Sequence, residues 1–188
     1  EGAVTLHKRL TTPHDPAEAA LLGLEELVAL RGIALSDVGD MVHGTTLVTN
    51  AVIERKGAKL GLITTQGFRD ILEMGTEQRY DIYDLTIAFP APLVSRDRRL
   101  EVAERVDARG TILTPLDLVA VEAAAQRLVD DGCEAIAVAF LHSYANPAHE
   151  RAAADIIRSR FPQLSVSISS DVVAEMGEYQ RTVTTCAN

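Results

Sequence analysis

Residues 41–73, MVHGTTLVTNAVIERKGAKLGLITTQGFRDILE, decide the fold class of this chain. The short run Met41–His43 predicts a strand that ends in a polar turn. After the turn, Thr45 or Thr46 is placed to cap a helix. This helix should turn one apolar stripe toward the core, made of Leu47, Val48, Ala51 and Val52. A second short apolar run, Lys59–Thr64, predicts another strand.

The rest of the chain repeats this alternation of strand and helix. One helix should begin at Asp15-Pro16 and end at Gly32. Two others should open at Thr114-Pro115, ending near Gly132, and at Asn146-Pro147. Further strands are predicted at Ala3–Leu6, Ala135–Phe140 and Leu164–Ile168. Because a parallel return needs a crossover long enough to hold a helix, the alternation predicts an α/β fold with a mixed or parallel sheet covered by helices.

A long charged segment, residues 77–105, interrupts the alternation. It has two prolines, two tyrosines and no sustained period until Arg99–Val106, which resembles a strand. Long excursions are usually functional or disordered, so we expect residues 77–98 to be mobile, with Tyr80 and Tyr83 anchoring the loop to the protein body. A boundary near Gly110 would divide the chain into subdomains of residues 1–109 and 110–188.

Composition excludes several function classes. Lysine and arginine total 18 against 27 aspartate and glutamate, and the net charge of −9 opposes binding to nucleic acid. No apolar run reaches the ~20 residues of a membrane helix, and no secretion signal is evident, which predicts a cytoplasmic protein. With two cysteines, Cys133 and Cys186, the sequence predicts buried free thiols.

Two histidines, His142 and His149, lie seven residues apart after a predicted strand. A third ligand at useful spacing does not accompany them, so we predict no metal site. Both are expected to be structural, with His149 exposed in the first turn of its helix.

The polar turn after Met41–His43 is the candidate binding site. Open α/β sheets collect ligands at the carboxyl ends of strands, where helix N-terminal N–H groups favour anions or carbonyl oxygens. Spacing alone leaves two alternatives. The turn can bind a ligand, or the threonines only cap the helix and His43 packs at the strand end.

Several motifs resemble a known family over nearly the whole chain. They are MVHGTTLVTNAVIERKGAKLGLITTQGFRDILEMG, RYDIYDL, FPAPLV, LEVAERVDARG, AIAVAFLHSYANPAHE and EYQRTVTTCAN. Together they resemble the amino-terminal region of the hydantoinase A and 5-oxoprolinase family, nearest to its N-methylhydantoinase A-like members. That family also includes subunits of acetone and acetophenone carboxylases. The resemblance implies an incomplete piece of an actin, Hsp70 and hexokinase-like (ribonuclease H-like) fold.

The resemblance also implies a chemistry. The full-length protein would use ATP and Mg²⁺ to phosphorylate the carbonyl of a small cyclic amide and then hydrolyse it. This chain would be the substrate-side portion, in which His43, Thr45, Thr46 and Asn50 donate to a carbonyl or ring amide. Arg79 would neutralise a carboxylate or phosphate. Catalytic residues are not identified by the resemblance.

Departures from the family pattern limit what the chain should do alone. Relatives usually begin with a glycine-rich strand of the type GVDVGGTFTD, which this sequence lacks, and it has no G-x-x-x-x-G-K-[ST] loop. We therefore expect the isolated chain to be inactive and to bind no cofactor tightly. The alternatives are a non-catalytic module that docks a B-type hydantoinase subunit or further domains of the same chain, and the corresponding part of an acetone or acetophenone carboxylase-type subunit.

Overall fold

Two compact units make up the computed structural model, which describes residues 3–79 and 81–188. The first unit ends at Thr45, and the second is Thr46–Asn188. The sequence-based boundary near Gly110 falls inside the second unit. A subdivision into residues 1–109 and 110–188 therefore stays a prediction.

The first unit contains helix α1, Pro16–Arg31, and a short 3₁₀ turn, Leu35–Asp37. The carboxylate of Asp15 accepts a hydrogen bond from the N–H of Ala17 at 3.0 Å, which caps the helix start. Gly32 ends the helix in the left-handed conformation, at φ 63°. Both ends of α1 are therefore confirmed.

The two strands predicted in this unit do not form. Residues 3–6 and 41–43 have no strand pairing in the described structure. Their apolar side chains are exposed: Val4, Leu6, Met41 and Val42. The prediction was wrong because an apolar run becomes a strand only where a neighbouring backbone supplies hydrogen bonds.

A four-stranded parallel sheet organises the second unit. The strands in chain order are β1 Leu60–Thr65, β2 Arg99–Val102, β3 Arg105–Val106, β4 Ile112–Thr114, β5 Ala135–Ala139 and β6 Ser165–Ile168. The main sheet has the order β2-β1-β5-β6, and its neighbours are all parallel. Strands β3 and β4 form a separate antiparallel ribbon. The predicted α/β fold with a parallel sheet is therefore confirmed.

Helices follow the strands closely. They are α2 Leu47–Glu54, α3 Ile71–Met74, α4 Leu118–Asp130, α5 Ala148–Arg160, α6 Ser169–Val172 and α7 Glu178–Ala187, with a 3₁₀ turn at Arg96–Arg98. Helix α5 opens directly after Asn146-Pro147, as predicted: Pro147 holds the N-cap position, and Asn146 Oδ1 accepts from the N–H of Ala148 at 3.0 Å. The predicted start of α4 was wrong because Thr114 ends β4, and the cap is Asp117.

Apolar side chains cover both faces of the parallel sheet. On one face, α4 and α5 pack over a cluster that includes Ile63, Val121, Leu128, Val138 and Ile157. On the other, a smaller cluster contains Leu62, Leu72, Val94, Ala137 and Ala139. Burial on both faces explains why β1 and β5 read as continuous apolar runs and not as alternating ones.

Helix α2 is less buried than predicted. Leu47 and Val48 are exposed, whereas Ala51 and Val52 are half-buried. The prediction failed for the first two residues because the apolar side of α2 borders an open cavity, not the packed core. In the sequence, apolar residues that line a cavity at helical spacing look the same as apolar residues that pack in the core.

The excursion is irregular over most of its length. Described residues between Met74 and Arg96 form neither helix nor strand, and Tyr83 is 87% exposed, so the predicted anchoring by this ring was wrong. Tyr80 lies outside the described residues. The end of the segment is fixed, because Val94 is fully buried and the Arg96 guanidinium makes two bonds to Asp70 at 2.8 and 3.0 Å. Mobility of the excursion stays a prediction.

None of the helices in the described residues combines the length and apolar character needed to cross a lipid bilayer.

Candidate functional site

The predicted binding turn lies where the two units meet in the sequence. His43 and Thr45 close the first unit, and Thr46 opens the second, with Asn50 one turn into α2. All four residues are exposed. The described residues form no strand that ends at His43, so the alternative in which His43 packs at a strand end is not supported. A role of His43 in binding stays a prediction.

Thr46 holds the N-cap position of α2, but its side chain does not cap. It makes no hydrogen bond to a helix N–H group. Instead, its Oγ1 accepts from Asn50 Nδ2 at 3.4 Å, and its carbonyl accepts from the N–H of Asn50 at 2.9 Å. Thr46 therefore precedes α2 without capping it through its side chain. Helix N-termini in general favour a carbonyl oxygen or an anion.

Arg79 is exposed on the irregular segment after α3. Among the described residues, no hydrogen bond or ion pair joins it to Thr46 or Asn50. A role in neutralising a carboxylate or phosphate stays a prediction.

A second candidate region was missed by sequence reasoning: a buried polar cluster where the parallel strands end. We call it the carboxyl-edge network, and its members are Thr65, Glu104, His149, Glu150, Ser169 and Arg181. All six are at most 7% exposed. Thr65 ends β1, whereas Ser169 directly follows β6. Ligands of open α/β sheets bind outside this edge, which makes it the second place to look for a site.

Glu104 binds one half of the network together. Its Oε2 lies 2.7 Å from His149 Nδ1, and its Oε1 accepts from the Thr65 hydroxyl. The Thr65 oxygen also accepts from the N–H of Leu141 at 2.9 Å. His149 is therefore structural, as predicted, but the prediction that it is exposed was wrong. The reason is that Glu104, far away in sequence, supplies the buried partner that makes its burial favourable.

Glu150 and Arg181 hold the other half. Glu150 accepts from the N–H of Phe140 at 2.8 Å and from the Ser169 hydroxyl at 2.6 Å. Arg181 Nε donates to that hydroxyl oxygen at 3.1 Å, and Nη2 donates to the Phe140 carbonyl at 3.0 Å. Burial lowers the pKa of Arg181, and the nearby Glu150 carboxylate opposes this shift. These bonds hold α5, α6 and α7 against the end of β5.

The network shapes the loops that leave the sheet. Leu141 and Phe140 begin the turn after β5, and both backbone N–H groups are held by network side chains. His142 in this turn has φ 56°, a left-handed conformation that is uncommon for residues other than glycine. A rigid, polar turn at this edge can support a binding surface while taking no part in the chemistry. The sequence signal for it is the group of polar residues His142, Ser143 and Asn146, which follows the apolar run that ends at Leu141.

Metal binding finds no support in the described residues. They contain no group of three or more histidine, cysteine, aspartate or glutamate side chains that could hold an ion. Cys133 and Cys186 are both free thiols; Cys133 is buried, as predicted, whereas Cys186 is half-buried. Burial raises the pKa of Cys133 and raises that of Cys186 to about 12, since a thiolate loses its hydration there.

Comparison with known proteins gives the family. The model of the hydantoinase/oxoprolinase N-terminal region matches residues 1–161. This chain belongs to the hydantoinase/oxoprolinase family. It is 37% identical to an uncharacterized protein of Methanocaldococcus jannaschii, covering 95% of the chain and 26% of the relative. It is 34% identical to the caprolactamase subunit alpha of Pseudomonas jessenii, covering 100% of the chain and 28% of that subunit.

Two solved structures share the fold of this family member. The nucleotide-free structure of acetone carboxylase matches with a TM-score of 0.83 and 31% identity over 95% of this chain and 28% of that one. The crystal structure of the ATP-dependent caprolactamase from Pseudomonas jessenii matches with a TM-score of 0.81 and 33% identity, covering 100% of this chain and 28% of the caprolactamase chain. The chain thus spans about a quarter of the length of its relatives, which include enzymes that use ATP.

Proposed function

We propose that this chain is the substrate-side portion of an ATP-dependent enzyme that phosphorylates the carbonyl of a small cyclic amide and then hydrolyses it. One observation carries the proposal: the whole chain matches the fold of an ATP-dependent caprolactamase with a TM-score of 0.81. The substrates to be considered are hydantoin, N-methylhydantoin and 5-oxoproline. An enzyme that depends on ATP would work in the cytoplasm.

Amide chemistry explains why ATP is needed. Resonance makes the amide carbon a poor electrophile, and phosphorylation of the carbonyl oxygen turns that oxygen into a leaving group. Water then adds to the carbon, and the ring C–N bond breaks as the nitrogen takes up a proton, which leaves an acyl phosphate. A second water adds to the acyl carbon, and phosphate departs with the original carbonyl oxygen. The enzyme has to hold the carbonyl in line with the phosphoryl donor while charge moves.

His43, Thr45, Thr46 and Asn50 are the residues we propose for orienting the carbonyl. The exposure of these four residues supports this role, as does the position of Thr46 and Asn50 at the start of α2, because helix N-termini favour a carbonyl oxygen. Arg79 would neutralise a substrate carboxylate or a phosphate. The carboxyl-edge network would keep the adjoining turns rigid.

The nucleotide and Mg²⁺ do not fit the described residues. No metal-binding group of acidic or histidine side chains occurs among them, and the sequence has no phosphate loop. We therefore assign both to other portions of the full-length protein. The parallel sheet would belong there to an actin, Hsp70 and hexokinase-like domain, with a B-type subunit or further domains of the same chain as partner.

A second candidate is a carboxylase-type subunit that activates a ketone. The TM-score of 0.83 to acetone carboxylase favours it. The two candidates differ in substrate and in the need for bicarbonate, while the phosphorylated carbonyl oxygen is common to both.

The test uses the full-length protein with its partner subunit, if it has one. Phosphate release from ATP is measured with hydantoin, N-methylhydantoin, 5-oxoproline and caprolactam, and with acetone and acetophenone plus bicarbonate. We expect one cyclic amide to stimulate release at least tenfold, with one ring opened per ATP. With that amide labelled by ¹⁸O at the carbonyl, the label should appear in phosphate. Stimulation only by a ketone with bicarbonate would establish the second candidate instead.

A further inference from the structure

A cavity of about 500 Å³ opens at the opposite edge of the sheet, where the strands begin. Its lining includes the first residues of β1, β5 and β6, which are Leu60, Ala135 and Ser165, together with the last turn of α7. The side of α2 that carries Val48 and Val52 forms another wall. This volume lies within the range of about 300–1,000 Å³ that is usual for small-molecule sites.

The charge of the lining is unusual for this protein. Four basic side chains line the cavity, Arg55, Lys56, Lys59 and Arg98. Not one aspartate or glutamate is found among its described lining residues, although the whole chain carries a net charge of −9. These basic residues come from the end of α2, the start of β1 and the turn before β2, so three separate elements bring positive charge to the cavity.

In the part of the chain that the structure describes, two of these cations form no ion pair with a carboxylate. Lys56 pairs with Glu54 at 2.8 Å, and Lys59 pairs with Asp131 at 3.1 Å. Arg55 instead donates to the carbonyls of Ala91 and Pro92, and Arg98 Nε donates to the Ser95 hydroxyl at 2.9 Å. A hydrogen bond from Ser95 and the charge of Arg98 lower the pKa of the neighbouring Asp97. Neither guanidinium is hydrogen-bonded to a carboxylate in the described residues, however, so both retain attraction for an anion.

A third guanidinium lies behind the cavity. Arg99 is 1% exposed, and its Nη2 pairs with Glu73 Oε1 at 2.9 Å, whereas its Nη1 has no hydrogen-bond partner among the described residues. It lies beside Leu62 in the sheet register, on the face that Leu60 and Ser165 share. Its charge lowers the pKa of Cys186, a residue of the cavity wall, against the larger effect of burial. Arg99 does not itself line the cavity, and Glu73 balances its charge, so the four lining cations carry the positive character of the site.

We propose that this cavity binds a small organic anion, a carboxylate carried on a compact apolar body. The carboxylate would lie at Arg98 and Arg55, with the hydroxyls of Ser165 and Ser167 as further donors. The apolar body would lie against Val48, Val52, Leu60, Leu93 and Ile136. The site is separate from the turn at His43 and does not rest on the proposed function.

Binding is tested by calorimetry of the full-length protein, without nucleotide or substrate. Hexanoate supplies both the carboxylate and the apolar body, hexanamide has the same shape without the charge, and inorganic phosphate has the charge without the apolar body. We expect hexanoate to bind with a Kd below ~1 mM and the other two probes to bind at least tenfold more weakly. Equal affinity for hexanoate and hexanamide, or no binding of hexanoate at 10 mM, would overturn the proposal.

Variants locate the bound anion. Arg98→Gln should weaken hexanoate binding at least tenfold, whereas Arg109→Gln removes the same charge from an exposed turn outside the cavity and should leave the Kd unchanged. Because Arg98 also contacts Ser95, a second variant fills the cavity from the helix side: Ala51→Leu should weaken binding with the melting temperature retained. Hexanoate affinity that is unaltered in Arg98→Gln and Ala51→Leu would place the anion elsewhere and refute the site.

Discussion

His149 Nδ1 lies 2.7 Å from Glu104 Oε2, and both side chains are buried at the carboxyl edge of the sheet. Glu104 also accepts from the Thr65 hydroxyl, so its removal takes the buried carboxylate partner from both His149 and Thr65, although Thr65 keeps the bond from the N–H of Leu141. We expect Glu104→Ala to lower the free energy of unfolding by about 3 kcal/mol, measured by urea denaturation.

An exposed pair provides the control for this change. Glu122 lies 3.2 Å from Arg160 with both side chains solvated, and Glu122→Ala should change the free energy of unfolding by less than about 0.5 kcal/mol. Similar losses in the two variants would show that the buried pair has no special role in stability.

Gly61 allows β1 to approach α4 closely. A Cβ atom added there would lie 2.6 Å from Leu128 Cδ1, so Gly61→Ala should destabilise the protein by about 1–3 kcal/mol. In a Leu128→Ala background the added methyl has room, and the penalty should disappear.

Gly23 in α1 is the matched site, because an added Cβ meets nothing within 4 Å. Gly23→Ala should raise the free energy of unfolding by about 0.5–1 kcal/mol. The melting temperatures of Gly61→Ala, Leu128→Ala, the double variant and Gly23→Ala test this explanation. If Gly61→Ala still lowers the melting temperature in the Leu128→Ala background, contact with Leu128 is not the cause.

The thiol of Cys186 should be unreactive and should make stability depend on alkaline pH. Burial raises its pKa from 9.0 to about 12 in the folded protein. The stabilising contribution of the neutral thiol is therefore complete below pH 9 and is lost as the pH rises toward 12. Urea midpoints between pH 8 and 11 should fall more steeply for the wild type than for Cys186→Ala. Parallel curves would contradict the assignment.

Thr46→Val should leave stability almost unchanged. A capping threonine typically contributes ~1 kcal/mol, but the Thr46 side chain makes no bond to a helix N–H group. It has only the 3.4 Å contact from Asn50, so the expected change is below about 0.5 kcal/mol by urea denaturation. For comparison, Asp117 caps α4 through the N–H of Ala120 at 2.9 Å, and Asp117→Ala should cost ~1 kcal/mol.

The parallel sheet could be predicted because its evidence is local. The apolar runs at Lys59–Thr64 and Ala135–Phe140 and the caps at Asp15 and Asn146 act within a few residues, and each became the expected element. The predicted strand at Met41–His43 failed because strand formation depends on a pairing partner that is distant in sequence.

The carboxyl-edge network could not be predicted for the same reason. Its bonds join residues that lie far apart in the chain, such as Thr65 to Glu104 and Phe140 to Arg181. A lone glutamate after an Asn-Pro cap, Glu150, resembles an ordinary acidic residue in a helix first turn. Only the folded structure shows that its carboxylate is fully buried and accepts three hydrogen bonds.

Substrate-dependent ATP hydrolysis by the full-length protein with His43→Ala tests the central claim, that this chain supplies the substrate side of the active site. Loss of one polar contact in the transition state, ~1.4 kcal/mol, should lower the rate tenfold or more, with the melting temperature unchanged. His14→Ala is the control, an exposed histidine of the same unit that contacts Glu18 at 3.1 Å, and it should keep the full rate. Full turnover in His43→Ala, or a loss of activity that follows a lowered melting temperature, would contradict the account.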